Sequence, residues 1–115
     1  YILQANNEVD NLRESLQRNQ LRILEETMVQ EKNHFYQIIV ATPWFRNPQE
    51  LTETEIEFGP FLLENKPHEF INMWTHELEV LQSIEEHLSS DNQISDNKRL
   101  KEIQSEITKI KGVLN

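Results

Sequence analysis

Residues 1–40 read YILQANNEVDNLRESLQRNQLRILEETMVQEKNHFYQIIV, and how this stretch is taken decides the fold. Apolar residues stand at Ile2, Ala5, Val9, Leu12 and Leu16, in alternating steps of three and four, and the phase runs on to Ile23. That spacing is the a/d seam of a coiled coil. A second frame, one step out of phase, takes in Leu21, Leu24, Met28, Phe35 and Ile38. No Pro or Gly interrupts the stretch. A continuous helix of this length would extend roughly 60 Å, at ~1.5 Å per residue. Its apolar edge would outrun anything the remaining residues could cover, so the spacing predicts a second chain along it.

Asn19 falls at a d position, where a buried amide can fix register. Glu26 and Asn33 would occupy the next d positions and end the first frame, so the shift to Leu21, Leu24 and Met28 reads as a stutter. Ile2, Val9, Leu12, Leu16, Asn19, Ile23, Leu24 and Met28 are therefore the candidate oligomerisation residues. The arrangement expected is a parallel homodimer, or a heterodimer with a paralogue.

Pro43 ends this first helix, because it disfavours helical geometry at Thr42. Pro43 to Pro48 then bracket Trp44 and Phe45, a stiff segment whose rings lose little freedom on docking. Asn47, Pro48 and Glu50 form a helix-start pattern, and Gly59-Pro60 a stop. Between them Thr52, Thr54, Ile56 and Phe58 alternate with three glutamates, as a strand would. With no partner strand evident, a short helix is the expectation. A further helix opens after Pro67, with a seam of Ile71, Trp74, Leu78, Leu81 and Leu88, broadened by Phe70, Met73 and Ile84. Ser89 to Asn97 is a polar loop. Leu100, Ile103, Ile107, Ile110 and Leu114 mark a last amphipathic helix, which either folds back or pairs with another chain.

The sequence thus predicts an all-α chain in three parts. These are a coiled-coil oligomerisation helix (1–41), a compact helical knob (42–90), and a polar loop with a C-terminal amphipathic helix (91–115). Tyr1 in place of an initiator Met suggests a piece of a longer protein.

Net charge is −9, with ten acidic and two basic side chains over residues 41–90. Nucleic-acid binding requires clustered Lys and Arg, so this balance argues against it and suits a basic protein or peptide. The chain has no cysteine and no Asn-x-Ser/Thr sequon, which favours a reducing compartment, cytoplasmic or nuclear. No apolar run approaches a membrane span.

Chemistry is hard to find. His68-Glu69, His76-Glu77 and Glu86-His87 are tempting metal ligands, but His-Glu-x-x-His does not occur and no pair of Glu-x-x-His motifs is present. There is no Cys nucleophile and no Gly-rich loop to hold a phosphate. No catalytic residue, metal or cofactor is expected. Of nine aromatic residues, eight lie between Phe35 and Trp74. Trp44, Phe45, Met73 and Trp74 are the candidate partner-binding residues, since such side chains concentrate at interface hot spots. The function these features predict is a non-catalytic scaffold or adaptor that self-associates and presents an aromatic, acid-rimmed surface. The alternative is a purely architectural subunit of a hetero-oligomeric helical complex, and a metal-dependent enzyme stands a distant third.

Overall fold

A computed structural model describes residues 1–5, 9–44, 49–91 and 97–115. The elements run β1 (Ile2–Ala5), α1 (Val9–Arg18), β2 (Leu21–Glu31), β3 (His34–Pro43), α2 (Glu53–Phe58), α3 (Pro60–Asn65), α4 (His68–Asp91) and α5 (Asn97–Leu114). The three strands form one antiparallel sheet in the order β1-β3-β2. The expected all-α coiled coil over 1–41 is therefore overturned: one ten-residue helix survives of it, set between strands.

The physical reason lies in a β-bulge. Along β2 the inward positions are Leu21 and Ile23, then Glu26 and Met28. The pairing with β3 slips between Ile23 and Glu25, leaving Leu24 as the extra residue. A bulge adds one residue to a period-two strand, so the inward spacing becomes two, three, two. Read without partners, that spacing imitates the three-and-four rhythm of a helix. The supposed stutter is this bulge.

β3 is the central strand, with Gln37, Ile39 and Ala41 buried and Ile38 and Val40 half-buried on the opposite face. Its apolar run from Ile38 to Ala41 is the covered middle of a sheet rather than a helix end. Lys32 and Asn33 make the two-residue hairpin turn between Glu31 and His34, with Lys32 at φ +57°. The residue that stopped the heptad frame is thus a turn residue.

α1 lies on one face of the sheet. Val9 and Leu16 pack with Ile23, Ile39 and Ala41, and Leu3, Ala5, Leu12, Leu21, Leu51 and Phe61 close the cluster. The helix ends where Asn19 donates its side-chain amide to the Ser15 carbonyl (2.8 Å) and Gln20 turns to φ +59°. That reversal lets the chain leave the helix and enter β2.

The segment before α2 is tied to this layer by two glutamines. Gln49 accepts from the Ile23 N–H (2.8 Å) and donates to the Ile23 carbonyl (3.2 Å), so one side-chain amide stands in for a neighbouring strand beside the bulge. Gln17 accepts from the Leu51 N–H (2.9 Å). Gln49→Ala is expected to cost about 1–2 kcal/mol, the scale of a pair of modest hydrogen bonds. Hydrogen exchange at the Ile23 amide should accelerate accordingly; unchanged protection there would contradict this role.

α2 opens with a capping box. The Glu55 N–H donates to Thr52 Oγ1 (3.1 Å), and the Thr52 N–H donates to Glu55 Oε1 (2.9 Å). The cap is Thr52, five residues beyond the Asn47 expected from sequence; Asn47 and Pro48 lie outside the described residues. Gly59 separates α2 from α3, Pro60 takes the first position of α3, and Lys66 ends it in the left-handed region at φ +43°.

The chain divides into two compact units, Tyr1–Phe70 and Ile71–Asn115. The second consists of α4 from Ile71 onward and α5. Along α5, Ile103, Ile107, Ile110 and Val113 are buried, and Leu100 and Leu114 are half-buried. On α4 the half-buried side chains include Leu78, Leu81, Ile84 and Leu88.

Candidate functional site: a buried arginine centre

The most organised polar cluster of the first unit is built around Arg13. Its place follows from α1: residues 9, 12, 13 and 16 share one face of a helix, and that face lies on the sheet. Arg13 is accordingly 0% exposed. Its Nε donates to Glu26 Oε2 (2.7 Å), and the Glu26 side chain is equally enclosed. Nη2 donates to Gln37 Oε1, and Nη1 to the carbonyls of Ile56 (3.2 Å) and Glu57 (3.3 Å). The second oxygen of Glu26 accepts from the N–H groups of Phe61 (2.8 Å) and Leu62 (3.3 Å).

This geometry solves an electrostatic problem. α2 ends, and α3 begins, inside the protein. Helix ends leave carbonyls free at one terminus and N–H groups free at the other, with partial charges to match. Gly59 has no side chain to cap α3. Arg13 takes the carbonyls at the end of α2, and Glu26 takes the N–H groups at the start of α3. The two charges then neutralise each other. Burial pulls the Arg13 guanidinium below its ordinary pKa, while Glu26 and then Asp10 pull it back up.

Chemically, the centre is a clasp. With both charged side chains sealed from solvent, neither can touch a substrate, and no catalytic role follows. Among the described residues no group of three or more His, Cys, Asp or Glu is placed to hold a metal ion. Sequence reading missed Arg13, Glu26 and Gln37. The available signal was two opposite charges on otherwise apolar faces, Arg13 amid Val9, Leu12 and Leu16, and Glu26 between Ile23 and Met28.

The residues expected at an oligomer seam are scattered. Val9, Leu16, Ile23 and Met28 are buried within the chain, Leu12 is half-buried, Ile2 and Leu24 are exposed on strands, and Asn19 ends α1. Of the expected partner-binding residues, Trp44 is half-buried just after β3, its N–H donating to the Gln20 carbonyl (3.0 Å). Met73 and Trp74 are half-buried on α4, in the other unit. Phe45 lies outside the described residues.

Comparison with known proteins changes the functional picture. Residues 1–112 match the family described as TrmK, tRNA (adenine(22)-N(1))-methyltransferase. The tRNA (adenine(22)-N(1))-methyltransferase of Bacillus subtilis is 30% identical over 118 residues, covering 99% of this chain and 50% of that protein. A protein of the NADB-Rossmann superfamily from Streptococcus agalactiae is 34% identical, with a TM-score of 0.83, over 99% of this chain and 47% of that one. M. capricolum TrmK, solved with the cofactor product S-adenosyl-homocysteine, is 28% identical, with a TM-score of 0.76, over 100% of this chain and 50% of that one. The chain therefore spans about half the length of the relatives it matches.

These matches overturn four expectations. A family of tRNA-methylating enzymes replaces the non-catalytic scaffold or adaptor, the expected lack of enzymatic activity, the homodimeric coiled coil, and the exclusion of nucleic acid. A nuclear location finds no support among these bacterial relatives, and no helix of the described residues is long and apolar enough to cross a membrane.

Whether this chain could hold the family's cofactor is a question of shape. Doubly wound folds cradle such groups at a Gly-rich turn from a parallel strand into a helix. Here every described strand pair is antiparallel, and the chain has two glycines. A Cβ at Gly59 would already meet Arg13 and Glu26 within 2.9 Å, so no ligand fits there, and Gly112 lies within α5. The described residues do not fit the cofactor. What they share with the methyltransferases is sequence along nearly the whole chain and the fold that carries it, and on those grounds the chain belongs to the TrmK family of tRNA (adenine(22)-N(1))-methyltransferases.

Proposed function

We propose that the protein to which this chain belongs methylates N1 of adenine 22 in tRNA, in the cytoplasm. This chain contributes the antiparallel side of its sheet, the Arg13 clasp and a two-helix unit, while the methyl donor is held by residues outside it. The observation that carries this reading is the family match over residues 1–112, nearly the entire chain. The lack of a cofactor cradle among the described residues supports giving the chain a supporting share of the work.

Disrupting the coding sequence in the cells that carry it tests the activity. Mass spectrometry of their tRNA should show N1-methyladenosine lost from position 22, and reintroduction should restore it. Undiminished methylation at that position in the disrupted strain would refute the proposal.

A further inference from the structure

The sheet has a direction. β1 and β2 both run antiparallel to β3, so they point the same way, and their carboxyl ends, Ala5 and Glu31, lie toward one edge. The two ends are not level. β1 pairs with β3 only as far as Gln37, whereas β2 pairs on through Tyr36, Phe35 and His34. The β2–β3 hairpin therefore overhangs the end of β1 by three residue pairs, roughly 10 Å at ~3.4 Å per residue. In open sheets of the Rossmann type, ligands bind outside the carboxyl ends of the strands. The overhang stands at that edge.

Three ring-bearing residues in succession occupy it, His34, Phe35 and Tyr36. Alternation along β3 puts Phe35 on the face that carries Gln37, and His34 and Tyr36 together on the other. Their ring centroids are 6.4 Å apart and the planes tilt by 36°, so neither ring covers the other's face. His34 is exposed and Tyr36 half-buried. The cross-strand neighbour of Tyr36 is Val29, an exposed apolar side chain. Formal charge at the tip cancels, since Lys32 in the turn is offset by Glu31 opposite His34. A flat ligand with a π-face suits such a surface better than a bare phosphate does.

We propose that His34 and Tyr36 form a stacking contact for an unpaired base of the tRNA, beside the adenine that is methylated. The inference rests on the tRNA-directed function proposed above. N1 of adenine is engaged in Watson–Crick pairing, so it accepts a methyl group only on a base that is out of its pair. Enzymes that act on a base extrude it from the stack. Bases left unstacked in this way are held on aromatic side chains. Such stacking neutralises no phosphate, so it adds affinity without adding to the salt dependence of binding.

The test uses the intact enzyme of which this chain is part, with tRNA as the probe. Ultraviolet irradiation of the complex should cross-link a nucleotide to the tryptic peptide Asn33–Arg46. His34→Ala/Tyr36→Leu should raise KM for tRNA roughly tenfold, the scale of one lost base stack. KM for the methyl donor and the slope of log affinity against log salt should stay at parental values. Tyr36→Phe keeps the ring and should behave as the parent. His34→Ala alone changes an exposed position and should raise KM roughly threefold, which keeps the test open should Tyr36→Leu fail to fold.

An unchanged KM for tRNA in His34→Ala would overturn the proposal, as would cross-links that miss this peptide. A lowered salt slope in that variant would also overturn it, by revealing a phosphate contact. So would failure of diethyl pyrocarbonate to modify His34 in the tRNA-free enzyme, because the tip would then be covered by the rest of the protein. Methylation at position 22 by the parent enzyme is scored in the same reactions. An active parent whose His34 variant behaves normally refutes this contact alone, whereas a parent that leaves adenine 22 unmethylated refutes the proposed function and the contact with it.

Discussion

Replacing Gly59 by alanine is expected to destabilise the Tyr1–Phe70 unit by about 4–6 kcal/mol, enough to unfold much of it at room temperature. Two independent costs combine. Gly59 sits at φ +95° and ψ 128°, a region that L-residues with a Cβ enter only at about 1–3 kcal/mol. The new methyl would also lie 2.5 Å from Arg13 Nη2 and 2.7 and 2.9 Å from the two Glu26 oxygens. Neither side chain has room to give, because both are enclosed and each holds the end of a helix. Breaking up a buried ion pair costs about 3–5 kcal/mol. Gly112→Ala makes the contrasting case. No atom lies within 4 Å of its Cβ position, so the substitution should be neutral or stabilise α5 by a few tenths of a kcal/mol. Urea denaturation of both variants decides the matter, and a Gly59→Ala protein of near-parental stability would mean that the clasp does not constrain this turn.

The second large effect is expected at the ion pair itself. Arg13→Met fills much of the same space but leaves the Glu26 carboxylate buried without its cation, at a cost of about 3–5 kcal/mol. Arg13→Lys should do little better. A lysine ammonium is a point donor, whereas the guanidinium reaches Glu26, Gln37 and two carbonyls in fixed directions at once. The double variant Arg13→Met/Glu26→Leu should be less destabilised than the two single changes together by about 2–3 kcal/mol, since it leaves no orphan charge. It should still fall short of the parent, because the Phe61 and Leu62 N–H groups lose their acceptor. Measured in a Trp74→Phe background, tryptophan fluorescence reports the unit that contains Trp44. Strict additivity of the two single changes would show that the pair does not act as one group.

The Arg13 clasp also explains why sequence reading goes astray between residues 1 and 41. Periodicity arguments assume that inward positions are apolar. Here Arg13, Glu26 and Gln37 all face inward, and they are tolerated because Arg13 bonds both Glu26 and Gln37 while the ends of α2 and α3 meet Arg13 and Glu26. Once Glu26 is treated as an outward residue, β2 loses its alternation, and the bulge at Leu24 supplies a false helical spacing in its place. β3 is obscured differently. Covered on both faces, it presents an unbroken Ile-Ile-Val-Ala run, which periodicity cannot assign to strand or helix. Lys32-Asn33 lacks the glycine that makes two-residue hairpins conspicuous, so the turn is hidden as well.

Local charge is also averaged away in a sliding count. The window 91–115 averages to +1 because Asp91 and Asp96 precede α5, while the helix itself carries +3. A surface is defined by which residues share a face, and a sliding count ignores that.

What the sequence determined alone is local. The amphipathic phase of α1 placed Val9, Leu12 and Leu16 on one side, and Pro67 preceded a helix. The apolar rhythm of α5 picked out Ile103, Ile107 and Ile110. Each of these follows from neighbours three or four residues apart, whose spacing the chain carries in itself. What only the tertiary structure decided is the identity of residues 21–43 as strands and the burial of the Arg13–Glu26 pair. The buried arginine's partners lie 13 to 44 residues away along the chain, and the strand pairs 3 to 38, so a short window contains few of the interactions that make them stable.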